Sequence, residues 1–348
     1  IKKSVVISDS VNGIFTDLSS IYGNVGDLGL PGTNYAIDPH YDDLIDTAGI
    51  SNIAGGDIVR YVVLVANQGS KEACELTLSD SIQNANVNNV FVKKMNGTDF
   101  LSTITTSVVN NLSTTEITLN ETLGPNEMVI IIYEVTVLET IPLCQTLENN
   151  VQITGYTNCS SETNFVTSNL GGTYSTTETE SIITPTPITS QYNVLSIDPG
   201  IIPVQSIGQN MSTTIMTIGQ TMTAEYKMFF PIGIIENSII TFTPPSIFST
   251  FFTAVDAVPS QYIGFTGSSM PNFNGGIATW NLGTITTQAL AQDNLQSITF
   301  GFTITVPNDS SIFEPNQYGF TMDTNFCLSP STFYINIIEP KLQITKSH

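Results

Sequence analysis

From Ile50 onward, nearly every patterned segment of the chain alternates with a period of two, is rich in Val, Ile, Thr, Phe and Tyr, and is bounded by Gly, Pro, Asn or Asp. This is the strand period, because successive side chains of an extended backbone point to opposite faces. Thr221, Thr223, Glu225 and Lys227 alternate with Met222, Ala224, Tyr226 and Met228. Thr299, Gly301, Thr303 and Thr305 alternate in the same way with Phe300, Phe302, Ile304 and Val306. One face is wet and the other is core, as an antiparallel sandwich requires. No stretch carries a helical period with caps, so the chain reads as all-β.

One region breaks the alternation. If Val59, Tyr61, Val63 and Val65 face inward, the outward set is Ile58, Arg60, Val62, Leu64 and Ala66, nearly all apolar. The run Met128 to Tyr133 is apolar on both faces as well. Leaving such side chains in water would forgo roughly 1.5–3 kcal/mol each, so a cover is expected. The candidates are the chain's own first 45 residues, the second half of the chain, or another subunit. On the last reading Ile58, Val62, Leu64, Val129 and Ile131 form an assembly interface. The extended ends Ile1 to Ile7 and Glu339 to Lys346, with Val5, Ile7, Leu342 and Ile344, are then candidate strands for donation to an open sheet edge of a neighbour. The alternative for both ends is an ordinary first or last strand.

The pattern occurs twice. Gly56 to Gly69, Leu76 to Asp80 and Leu123 to Glu127 ahead of Met128 to Leu138 are echoed more loosely by Ile218 to Phe229, Ile239 to Pro245 and Trp280 to Gly283 ahead of Ile298 to Val306. The expected organisation is an N-terminal strand and extended arm over 1–45, a first sandwich over 46–170, a Thr/Pro linker over 171–190, a second sandwich over 191–340, and a final strand or the start of a further repeat over 341–348. Ile1-Lys2-Lys3-Ser4 and Ile344-Thr345-Lys346-Ser347 are alike, as expected if the chain continues into another copy or joins head to tail. The start at Ile1 rather than Met implies a removed leader or an internal piece of something longer.

Charge narrows the partners. Charged residues are 11% of the 348, and 30 Asp and Glu against 9 Lys and Arg give a formal net charge of −21. A phosphate backbone or an anionic membrane would repel such a surface, so nucleic acid is not an expected partner. The longest apolar run, Met128 to Leu138, is interrupted by Glu134 and falls short of the ~18 residues of a spanning helix, so no direct membrane insertion is expected. The low charge with abundant Thr, Ser and Asn suggests an extracellular or cell-surface β protein.

Little in the chain suggests catalysis. Cys74, Cys144, Cys159 and Cys327 show neither zinc spacing nor neighbouring histidines and read as structural disulfide candidates, for which four thiols allow three pairings. Asp38, His40, Asp42, Asp43 and Asp46 form the densest acidic cluster, whose hard carboxylates could ligate calcium; the spacing has no EF-hand pattern, so the expectation is a solvated acidic loop, with no metal or other cofactor assigned. The only histidines are His40 and His348, neither in a hydrolase setting, so an enzyme is not expected. Asn96, Asn111, Asn120, Asn158, Asn210 and Asn308 head Asn-x-Ser/Thr sequons and are candidate glycosylation sites. The aromatics Tyr262, Phe265 and Phe273 are candidates for a concave binding site.

The run Gly56-Asp57-Ile58-Val59-Arg60-Tyr61-Val62-Val63-Leu64-Val65-Ala66-Asn67-Gln68-Gly69, the later Leu78-Ser79-Asp80, and Leu123-Gly124-Pro125-Asn126-Glu127 ahead of a strand and Leu147 to Val151 resemble the conserved-repeat domain of large surface proteins, a domain of unknown function. Glu339 to Ser347 resembles the opening of another such repeat. The resemblance implies two tandem immunoglobulin-like sandwiches in an extracellular stalk, adhesin or cell-wall layer, without catalysis. It also implies that a sandwich can be closed by a Lys–Asn isopeptide bond formed beside a buried carboxylate. Lys3 matches the first-strand lysine, Asn149 the last-strand asparagine, and Glu134 is the expected acid. Together these readings predict a structural protein that self-assembles with copies of itself into filaments or stalks. The alternative is an adhesin that recognises a glycan or a protein.

Overall fold

The computed structural model describes residues 2–8, 12–13, 50–67, 69–94, 97–145, 147–159, 161–165, 177–185, 188–198, 212–288, 296–309, 312 and 316–338. The chain divides into two compact units, Ile1–Thr186 and Pro187–His348, and both are built of strands.

Unit 1 contains β1 (Lys2–Ser8), β2 (Asn12–Gly13), β3 (Ile50–Ile53), β4 (Ile58–Ala66), β5 (Ala73–Gln83), β6 (Ala85–Lys94), β7 (Ser102–Val109), β8 (Leu112–Leu119), β9 (Met128–Val137), β10 (Leu147–Asn158), β11 (Ser161–Phe165) and β12 (Thr177–Pro185). One sheet has the order β1-β4-β9-β6, and the other runs β2-β3-β12-β10-β5-β8-β7 with β11 on β10. Pairing is antiparallel except between β12 and β3, which run parallel. The β7–β8 hairpin turns on Asn110 and Asn111, both at positive φ, as a two-residue turn of the primed type requires.

The core of unit 1 lies between these sheets. Val59, Tyr61, Val63 and Val65 of β4 and Val129, Ile131, Tyr133 and Val135 of β9 face Leu76, Leu78 and Ile82 of β5 and Val151 of β10. The second apolar face of β4 and β9 is covered too. Val62, Leu64, Ile130 and Ile132 are all fully buried within the single chain, outside that core. This corrects the expected assembly interface: Val62 and Leu64 are not available to a second subunit, Val129 and Ile131 belong to the inner core, and only Ile58 is exposed.

Two bounds are also corrected. Lys2–Ser8 forms the expected leading strand, but as part of the first sandwich and not as a strand donated to a neighbour: it pairs antiparallel with β4 of its own unit, which places Val5 and Ile7 in an ordinary first strand. Residues 177–185, expected within a linker, form β12 and pair with β10 and β3, so the division falls later, between Thr186 and Pro187. Leu342 and Ile344 lie outside the described residues.

Unit 2 contains β13 (Thr189–Asp198), β14 (Thr213–Met216), β15 (Thr221–Phe230), β16 (Ile234–Thr243), β17 (Phe252–Pro259), β18 (Ile263–Phe265), β19 (Asn272–Asn274), β20 (Ile277–Thr287), β21 (Gln296–Thr305), β22 (Asn316–Thr324) and β23 (Ser331–Ile337). Its sheets have the orders β13-β15-β21-β17 and β14-β23-β22-β16-β20-β18, with β19 on β20. Here the alternation read from the sequence holds without exception along β15, where Met222, Ala224, Tyr226, Met228 and Phe230 are buried and their neighbours are not. Trp280, Phe300, Phe302, Phe320 and Phe333 fill the space between the sheets.

Candidate functional site

Unit 1 carries a group of polar side chains where a sandwich core is normally apolar. The register explains how they meet. β1 places Val5 opposite Tyr61 and Lys3 opposite Val63, and β4 places Tyr61 opposite Tyr133 of β9. Lys3, Tyr61 and Tyr133 therefore share the inner face of one sheet. On the facing sheet, Asp80 lies opposite Val151 and Asn149 opposite Ile82, so the two stand on adjacent strands and on the same face.

The four polar groups form a continuous chain. Lys3 Nζ lies 2.7 Å from Asp80 Oδ2. The Tyr133 hydroxyl donates to the same oxygen at 2.7 Å and accepts from Asn149 Nδ2 at 2.9 Å. Lys3 Nζ also sits 5.3 Å and 5.4 Å from the ring centroids of Tyr61 and Tyr133, which stack on each other at 5.3 Å. Lys3 is 1% exposed, Asp80 4%, Tyr133 3% and Asn149 0%. Asn149 Oδ1 is buried without a hydrogen-bond partner. Burial, then the charge and hydrogen bond of Asp80, push the Tyr133 hydroxyl well above the usual tyrosine range.

Desolvating an ion pair costs more than its attraction commonly returns, and replacing such a pair with apolar side chains is often stabilising. A lysine and an aspartate kept at this depth therefore call for a chemical reason. Moving one proton along the 2.7 Å bond turns ammonium and carboxylate into amine and carboxylic acid. That form places no charge in the core and gives Nζ a lone pair within the same hydrogen-bonded cluster as a carboxamide whose carbonyl oxygen is unpartnered.

The structure thus brings Lys3 and Asn149 into one buried cluster but puts Asp80, not Glu134, beside them. Glu134 lies on the opposite face of β9 from Tyr133. It accepts from Arg60 Nε at 3.0 Å and from Asn89 Nδ2 at 3.1 Å. Partial burial opposes its ionisation, but those bonds outweigh it and hold its carboxyl below the ordinary range.

Unit 2 has no such group at the matching register. Tyr192, Tyr226 and Phe300 stand in line as Val5, Tyr61 and Tyr133 do, and Ser190 opposite Met228 takes the place of Lys3 opposite Val63. Among the described residues, the buried polar side chains of unit 2 include no lysine, aspartate or glutamate.

The remaining candidates are scattered. Cys74 and Cys159 are joined by a disulfide with Cα atoms 5.3 Å apart, and neither Cys144 nor Cys327 is a free thiol. Asn111, Asn120 and Asn308 are exposed, whereas Asn96, Asn210 and the side chain of Asn158 lie outside the described residues. Phe265 pairs with Ile285 and Phe273 with Ala278, toward opposite ends of β20. Seven residues of strand separate them by roughly 23 Å, so Tyr262, Phe265 and Phe273 do not converge on one concave site. The acidic cluster Asp38 to Asp46, His40 and His348 fall outside the described residues. Among the described residues, no three His, Cys, Asp or Glu side chains are grouped to hold a metal ion, and no helix is long and apolar enough to cross a membrane.

No protein-family model matches the chain, and no curated protein matches it. Among solved structures, the C-terminal domain of the Streptococcus agalactiae antigen I/II polypeptide BspA is similar at 11% identity and a TM-score of 0.30, covering 82% of this chain and 94% of that one. The C-terminal domain of the Streptococcus pyogenes antigen I/II-family protein AspA is similar at 8% identity and a TM-score of 0.29, covering 96% and 98%. The C-terminal fragment of the Streptococcus agalactiae major pilin GBS80 is similar at 10% identity and a TM-score of 0.30, covering 82% and 86%. These TM-scores are too low to transfer a property from any of them to this chain.

Proposed function

We propose that the chain is a structural module of an extracellular stalk or filament, and that its first unit closes on itself through an amide bond between Lys3 Nζ and Asn149 Cγ. The buried Lys3–Asp80 pair, tied through Tyr133 to Asn149, carries this reading. β1 and β10 belong to opposite sheets, so a bond between them closes most of unit 1 into a covalent loop across the sandwich. Such a loop resists extension at its ends, a property useful to a surface stalk and of no use to a soluble enzyme. The resemblance to conserved-repeat surface domains and the acidic, Thr-rich composition fit the same setting.

The test is mechanical. With the disulfides reduced, pulling single molecules by their two termini should extend unit 1 without releasing the segment between Lys3 and Asn149, whereas Lys3→Ala should release all of it. Full release from the unsubstituted chain would contradict the reading.

Self-association belongs to the same proposal. β7 is the edge strand of its sheet, carries neither charge nor proline, and leaves Val108 53% and Val109 64% exposed. An open apolar edge of this kind pairs readily with a strand from another copy. Concentration-dependent sedimentation that Thr106→Lys abolishes would support this contact, and a monomer at every concentration would contradict it.

A further inference from the structure

We propose that Tyr133 is a catalytic residue of the Lys3–Asn149 reaction, relaying a proton from Asp80 to the departing amide nitrogen. The inference rests on the reading of the site as a self-closing amide, and it assigns a role that this reading alone leaves open.

The argument begins with the path. The nitrogen that must leave, Asn149 Nδ2, bonds to the Tyr133 hydroxyl at 2.9 Å, and that hydroxyl bonds to Asp80 Oδ2 at 2.7 Å. Asp80 therefore has a two-bond route to the leaving group through one phenol. An ionised carboxylate only accepts, so the single phenolic proton points to Asp80 and the phenolic oxygen faces the amide N–H. When Asp80 holds the proton, both bonds can reverse. Asp80 then donates to Tyr133, and Tyr133 donates to Nδ2 once that nitrogen has a lone pair.

The steps balance without any co-reactant. The lone pair of Lys3 Nζ attacks Asn149 Cγ, a bond forms, and the carbonyl electrons move onto Oδ1. Asp80 gives its proton to Tyr133 as Tyr133 gives its own to Nδ2. The carbonyl re-forms, the Cγ–Nδ2 bond breaks and ammonia leaves. Asp80 then takes a proton from Nζ, which leaves a neutral amide and returns Asp80 and Tyr133 to their starting forms. Because burial and Asp80 keep the phenol protonated, it serves as a neutral conduit rather than as a phenolate base. The stack on Tyr61 fixes the ring that holds the hydroxyl in place.

The experiment follows loss of ammonia by intact mass while the full chain, purified unfolded from inclusion bodies, refolds under oxidising conditions. Tyr133→Phe keeps the ring and its stack and removes only the hydroxyl. Its bond should form ~100-fold more slowly than in the unsubstituted chain, in line with the usual worth of a positioned proton carrier. Lys3→Ala and Asn149→Ala should never lose ammonia. Closure of Tyr133→Phe at the unsubstituted rate would overturn the relay and leave the amide reading standing. An unsubstituted chain that keeps its full mass would overturn both. Should Tyr133→Phe fail to fold, the unsubstituted chain decides the matter in mixtures of H2O and D2O. A bowed dependence of rate on deuterium content supports two protons moving together, and a linear one contradicts the relay.

Discussion

Lys3 Nζ and Asp80 Oδ2 face each other at 2.7 Å across the two sheets of unit 1, with both side chains almost wholly removed from solvent. Breaking such a pair from one side leaves an uncompensated charge at the same depth. Asp80→Ala should therefore keep the chain at full mass and, against the equally unclosed Asn149→Ala chain, destabilise unit 1 by about 3–5 kcal/mol. Denaturant unfolding of unit 1, read beside the intact mass, checks both effects.

The Cys74–Cys159 bridge spans a separation of 85 residues. Closing a loop of that size in the unfolded chain stabilises the folded one by about 4–5 kcal/mol. Reduction of the purified chain should shift the unfolding midpoint of unit 1 downward. An unchanged midpoint would mean that unit 1 does not depend on the bridge.

Alkali should expose the buried phenols. Burial is the leading cause that raises Tyr133, Tyr192 and Tyr226, with Asp80 adding to it at Tyr133 and Tyr226 adding to it at Tyr192. A folded value above the unfolded one, near 10, means the native state binds more protons there, so stability falls as pH rises beyond about 10. A spectrophotometric titration should show these three ionising only as the chain unfolds. Their early, reversible ionisation would contradict the burial described.

Acid should act on unit 1 through Glu134. Its folded value lies below the ordinary 4.5 because the bonds from Arg60 and Asn89 outweigh partial burial. The stability this gives is present above the unfolded value and is lost as pH falls through the folded one. The pair is partly exposed, so the loss should stay under about 1 kcal/mol. Glu134→Gln should flatten the acid limb of the stability curve by that amount and leave ammonia loss unaffected. An effect on ammonia loss would return Glu134 to the site from which the structure removes it.

The strands of both units, and the inward and outward faces of β15 and β21, were legible because alternation is a local property of an extended chain. Lys3 and Asn149 were legible by their places in the first and last strands of the resemblance. The acid was not. Met128 to Tyr133 is apolar on both faces, which hid the parity of β9. Once Tyr133 is known to point inward, its neighbour Glu134 must point outward. Asp80 carried a usable signal, since it follows Leu76 and Leu78 at the inward slots of β5, where a charged side chain is out of place. The partnership of Tyr133 with Asn149 depends on β9 and β10 lying in opposite sheets, a long-range fact no local pattern encodes.

The central claim is a covalent one, and mass spectrometry of the native chain tests it most directly. The account predicts an intact mass one ammonia below that of the sequence after allowance for the disulfides, and a digest peptide in which Lys3 is joined to Asn149. A full mass, with Lys3 and Asn149 recovered in separate unmodified peptides, would contradict it.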